Sequence, residues 1–235
     1  MTKNQRIRAL LLLLLLLVFL PGCAGKSDPA AAPTPEGGFK NEDIAYSESQ
    51  GMELDPETGR DKYLTDPVPE GMPLPVEPQD AAVTDQEYRC TLSISCAAIL
   101  DHMDWCAENK RELVPEDGWI LRPTEVVFFE GESVFQVLKR VCKQNKIHME
   151  FENTPIYNSA YIEGINNLYE FDVGNLSGWM YSVNGWYPNY GCSRYALKDG
   201  DVVEWRYTCD LGYDVGGGYA VSGGGNENDS ETEKG

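Results

Sequence analysis

The chain is poor in basic residues and poorer still in histidine. Its 235 residues hold 19 Lys and Arg against 38 Asp and Glu, giving a formal net charge of −19, and the only two histidines are His102 and His148. So acidic a chain makes a poor partner for the phosphates of nucleic acid. A thiol hydrolase needs a cysteine beside a histidine, and no cysteine here sits in a recognisable nucleophile motif. His102 and Cys106 lie four apart, yet no second His or Cys pair at metal-ligand spacing accompanies them, so neither a metal site nor a resident cofactor is expected. The carboxylate pairs Asp199 with Asp201 and Glu150 with Glu152 fall at turn or alternating strand positions, where solvated faces are the default. The expectation is a chain that is not an enzyme.

Long apolar runs are also absent, with one exception. Lys3, Arg6 and Arg8 precede a leucine-rich run from Ala9 to Leu20, short of the roughly 20 residues that a membrane span requires. Residues 1–22 therefore read as a signal peptide. They end in Leu20, Pro21, Gly22 and Cys23, a sequence that resembles the bacterial lipoprotein box. That likeness implies a diacylated Cys23 at the new N-terminus, anchoring the chain to the extracytoplasmic face of the cell membrane; ordinary cleavage nearby is the alternative. Removing the leader takes the formal charge from −19 to −22.

Residues 23–85 are rich in proline, glycine and acids, as in DPAAAPTPEGG and DPVPEGMPLPVEPQD. Such a stretch offers little apolar surface to offset the entropy of ordering, and its X-Pro pairs favour extended backbone, so a disordered, semi-rigid spacer is expected. Residues 216–235 read as a disordered acidic tail. What remains, residues 86–215, has the length of one domain.

Within that domain Tyr88–Cys96 alternates as a strand and Val126–Phe129 is a short β-branched and aromatic run. Ser133 and Gln136 then form a capping box. Val134, Val137, Leu138, Val141 and Cys142 recur at helical spacing to about Asn145, which turns Lys139, Arg140, Lys143 and Lys146 to solvent. Strands are expected at 147–151, 160–165, 168–173, 179–183 and 201–208, with turns at Asn166-Asn167, Asn184-Gly185 and Lys198-Asp199-Gly200. The segment from Ala97 to Pro123 fits least and reads as an insertion with a short helix near Ile99–Trp105. Strand, strand, helix, then strands is the order of an α+β fold of β-grasp type, a mixed sheet packed on one helix.

Seven cysteines occur, and with Cys23 lipidated six remain for an oxidising compartment. Cys90 and Cys96 on one strand would stand about 20 Å apart, at roughly 3.3 Å per residue, too far to bond. Cys192 and Cys209 flank the Asp199-Gly200 turn and are the first candidate disulfide, with Cys90 to Cys209 as rival if the first and last strands pair. Eight aromatics crowd Gly178–Thr208. Alternation sends Trp205 and Tyr207, with Trp179 and Tyr181, to the core. Trp186, Tyr187 and Tyr190 follow the Asn-Gly turn around Pro188, and are either a loop platform for a ligand or packed back on the domain.

The strand GWMYSVNG, the Gly-x-x-x-Tyr element Gly191–Tyr195 and the run Lys198–Glu204 resemble the bacterial domain family of unknown function that is similar to the C-terminal domain of transcobalamin. The resemblance implies a β-grasp module that caps a ligand, and cobalamin or a related corrinoid as that ligand. In the eukaryotic carriers an α/α barrel holds the other half of the corrinoid. No stretch of this chain is helical enough to be that barrel, so a partner protein would have to supply it. The expected function is small-ligand binding on a membrane-anchored lipoprotein, with an adhesion or cell-wall interaction module as the alternative.

Overall fold

A computed structural model describes residues 38–221; the expected signal peptide (1–22), Cys23 and the part of the expected tail beyond 221 lie outside the described residues. A helix α1 (Asn41–Ser49) opens this part of the chain. Strand β1 (Glu87–Ser95) and strand β2 (Trp119–Phe129) pair antiparallel, and helix α2 (Val134–Asn145) follows. Strands β3 (Met149–Thr154), β4 (Ser159–Ile165) and β5 (Leu168–Tyr169) come next, then β6 (Gly178–Val183) and β7 (Val202–Thr208). The main sheet runs β2-β1-β7-β6, with β1 and β7 parallel at its centre. The second, β3-β4-β5, is antiparallel. This is the α+β, β-grasp-like order expected: a strand pair, a crossover helix, and the last strand inserted beside the first.

Local chemistry accounts for the helix and its placement. The Ser133 hydroxyl accepts from the Gln136 amide at 3.3 Å while Gln136 Oε1 accepts from the Ser133 amide at 2.8 Å, closing the capping box. Lys146, in the left-handed region at φ 57°, ends the helix. Val134, Val137, Leu138, Val141 and Cys142 are buried against Leu92, Ile94, Val203 and Trp205 of the sheet. Each such side chain, fully removed from water, contributes about 1.5–3 kcal/mol. Arg140 departs from the expected solvent face: it lies half-buried and bonds Glu132 and the Val127 carbonyl. Asn166-Asn167 and Asn184-Gly185 all have positive φ, as tight two-residue turns demand.

Residues 38–85 are not the spacer expected over 23–85. Val68 and Ser47 are fully buried, and Met52 and Thr65 nearly so. The stretch from Arg60 to Glu77 forms a strap across the domain, and its anchor is Arg194, only 1% exposed. The Arg194 guanidinium donates to Asp61 and Glu77, each at 2.7 Å, and to the Thr65 hydroxyl, while its Cζ lies 5.1 Å from the Tyr63 ring centre. Val76 N donates to the Arg194 carbonyl at 2.8 Å. Composition misleads because a proline-rich chain has little conformational entropy left to lose, so a few polar anchors suffice to order it. The start of the tail is likewise held, Gly217 N donating to Gly212 O at 2.7 Å. Gly217 lies flat on the Tyr187 ring, where a Cβ would come within 2.8 Å of it.

The expected Cys192–Cys209 disulfide is absent, since the six described cysteines are all unbonded buried thiols. The turn at Asp199-Gly200 does not join two arms of one hairpin. The arm before it reaches the start of α2, through the Ser133–Ala196 bridge, whereas β7 pairs with β1 and β6. The rival pairing fails for another reason: β1 and β7 are parallel, which puts Cys90 and Cys209 at opposite ends of the sheet. Burial pushes the thiols of Cys96, Cys142, Cys192 and Cys209 up to about 12.

Candidate functional site

The three loop aromatics singled out from the sequence do not form an exposed platform. Tyr187 and Tyr190 are buried and Trp186 is half-buried against the main core. Tyr190 donates its hydroxyl to Pro73 O at 2.7 Å, and Tyr187 donates to Val215 O at 2.7 Å. Burial drives the Tyr190 hydroxyl far above its ordinary pKa, with charge repulsion from Tyr195 adding to it. The strap covers one side of this loop and the start of the tail covers the other. Asn189 completes the seal by donating to Asp66 O at 3.1 Å and Pro67 O at 3.3 Å.

Exposed apolar side chains gather instead at one end of the main sheet. Because β1 and β7 are parallel and β6 and β2 run against them, the loops 96–118, 170–177 and 209–217 all leave from that end. A second, smaller core lies beneath them, built from Cys96, Ile99, Cys106, Leu168, Val173, Tyr207 and Cys209. Main-chain bonds stitch the loops together: Ala107 N donates to Asp172 O at 2.8 Å and Leu211 N to Leu176 O at 2.9 Å. Lys110 lies 3.3 Å from the Asp172 carboxylate and donates to Asn167 O at 2.7 Å.

On this braced base Trp105, Phe171, Leu176, Leu211 and Tyr213 stand exposed, Phe171 at 61% and Trp105 at 54%. Trp105 stacks on His102, ring centres 4.1 Å apart and planes 19° apart, which steadies the exposed indole. Phe171 and Leu211 have φ of 67° and 45°. Bulky residues avoid the left-handed region, and strain of this kind gathers at functional sites. The segment expected as an insertion with a short helix instead makes two 3-10 turns, Ala97–His102 and Glu108–Leu113, which carry this end face. No local pattern in the sequence marks it, because its residues come from three distant loops. Among the described residues no group of three or more His, Cys, Asp or Glu side chains is placed to hold a metal ion.

Residues 131–209, from the turn before α2 to Cys209, match the family described as Domain of unknown function (DUF4430). The matched stretch contains the elements Gly191–Tyr195 and Lys198–Glu204, on which the resemblance to a bacterial domain family of unknown function was read. Among solved structures the chain is similar to haptocorrin in complex with Cbi, with a TM-score of 0.41 and 16% identity over 55% of this chain and 26% of that one. It is also similar to a candidate metal-binding protein from Ruminococcus gnavus, with a TM-score of 0.30 and 16% identity over 52% of this chain and 96% of that one. The chain thus spans about a quarter of the haptocorrin chain. At these scores neither neighbour bears on what this chain binds. No curated protein matches the chain.

Proposed function

We propose that the protein is a non-catalytic, membrane-anchored lipoprotein whose β-grasp domain binds a small amphipathic ligand on the end face of its main sheet. The observation that carries this reading is the pair of large apolar residues, Phe171 and Leu211, held in solvent at positive φ on the end of the sheet that also carries the exposed Trp105. Folding alone would favour glycine or asparagine at both positions. Exposed apolar side chains on a second core suit a broad ligand with an apolar face better than a small buried one. A corrinoid, the ligand that the sequence resemblance implies, is the first to test. A partner protein would close over the ligand from the solvent side, where these side chains are exposed. Anchoring through Cys23 would place the domain on the outer side of the cell membrane.

The test is titration of the full chain in detergent with cobinamide and cobalamin, followed by tryptophan fluorescence. Saturable quenching that Trp105→Ala weakens about tenfold supports the reading. Unchanged fluorescence with both corrinoids removes the corrinoid, and binding indifferent to Trp105→Ala and Phe171→Ala removes the end face. Radioactive fatty-acid labelling of the wild type and Cys23→Ala tests the anchor, with equal incorporation ruling it out.

A further inference from the structure

A cavity on the face of the main sheet turned away from α2 holds a buried hydroxyl that folding leaves unused. It measures about 340 Å³, and Ser93, Ser95, Glu204 and Arg206 line it. These four are cross-strand neighbours, since the parallel β1–β7 ladder sets Ser93 beside Glu204 and Ser95 beside Arg206. Leu92 and Ile94 enter the core under α2, so alternation turns Ser93 the other way, into the cavity. Loops 96–118 and 209–217 wall it with Asp101 and Asp214, and Trp119 stands opposite Ser95 in the β1–β2 ladder.

Ser93 is only 4% exposed, yet no hydrogen bond engages its hydroxyl among the described residues. Its oxygen is not sealed inside the protein, as Trp205 Nε1 is, and it opens on the cavity. A hydroxyl on so buried a residue is ordinarily paired. Left unpaired and facing an open space, it calls for an occupant that can bond to it.

The charge around the cavity selects that occupant. Arg206 is answered by Glu204 at 2.9 Å. Asp214 accepts from the Thr208 hydroxyl and from Cys209 N, the latter at 2.7 Å, and neither brings a positive charge. Asp101 is exposed, and no hydrogen bond or ion pair engages its carboxylate among the described residues. Two carboxylates are thus left without a counter-charge, which repels anions and attracts cations. Among the described residues no three such ligands converge closely enough to hold a metal ion, so a larger cation fits better. An ammonium group meets both demands, its N–H donors reaching a carboxylate and the Ser93 oxygen while its charge suits the Trp119 ring. We infer that this cavity is a binding site for a small organic ammonium ion.

The experiment is calorimetric titration of the full chain in detergent with cadaverine, and with the neutral diol of the same length as control. Salt at about 0.15 M screens diffuse attraction to an acidic protein. Cadaverine should saturate the site and the diol should not bind. Asp101→Asn removes a charge at an exposed position, and Ser93→Ala removes a hydroxyl that makes no bond, so neither threatens the fold. Each should weaken cadaverine binding about tenfold. Trp105→Ala should leave it unchanged, which separates this site from the end face. The inference is overturned if cadaverine does not saturate, if the diol binds as well, if either cavity variant binds as the wild type does, or if Trp105→Ala abolishes binding.

Discussion

Two aromatic regions of this molecule exchange the roles that their sequences suggest. The loop from Trp186 to Arg194 looks exposed, with three aromatics around a proline after a tight turn, yet strap and tail cover it and its tyrosine hydroxyls are spent on backbone carbonyls. The end-face loops look like an ill-fitting insertion and two short connections, yet they hold Trp105, Phe171 and Tyr213 in solvent. The difference teaches that exposure depends on what else the chain brings to a loop. A loop with a strap laid across it becomes core, and one seated on its own small core can afford exposed rings.

The strongest challenge to the covered region is alkali, which also reaches the buried thiols of Cys96 and Cys209 beneath the end face. Burial lifts Tyr181, Tyr190 and Tyr195 above their ordinary 10.0 and Cys192 to about 12. Unfolded, these groups release protons near 9 to 10, so the stability that burial confers is complete below about pH 9 and is lost as the pH climbs through about 12. Circular dichroism against pH should show cooperative unfolding in that window. A chain that keeps its fold at about pH 12 would contradict the burial.

Next in size is Arg194→Met, which leaves Asp61 and Glu77 without their buried partner. Loss of one member of such a pair costs about 3–5 kcal/mol. Urea unfolding would measure it, and limited proteolysis should then cut within residues 60–77. Cleavage no faster than in the wild type would mean that the strap holds without Arg194.

Smaller effects sharpen the contrast. Tyr190→Phe removes only the bond to Pro73 O and should cost about 1 kcal/mol in the same unfolding experiment. At the other region Phe171→Gly should raise stability by about 1 kcal/mol, because glycine occupies positive φ without strain and the lost ring was already in water. Trp105→Ala should change stability by less than about 0.5 kcal/mol while weakening ligand binding. A marked loss of stability in either of these last two would show that the exposed rings serve folding.

The elements were largely legible. Helix α2 is announced by its capping box and the spacing of Val134 to Cys142, and β7 by the alternation of Val203, Trp205 and Tyr207, since both depend on neighbours within a few residues. The strap was not, because Arg194 meets Asp61, Thr65 and Glu77 across more than a hundred residues, and no composition rule carries that separation. Nor were the cysteines. The Cys192–Cys209 bridge assumed a simple hairpin, and the parallel placing of β7 beside β1 dissolved it.

The sequence by itself determined the acidic character, the one capped helix and the alternating strands, because charge, hydropathy and short-range periodicity are local properties. Only the tertiary structure decided which aromatics are buried, that the proline-rich segment is part of the domain, and that three distant loops share one braced end face. Those outcomes rest on contacts between residues far apart in the chain, where a few hydrogen bonds and a buried guanidinium outweigh what any segment would do alone.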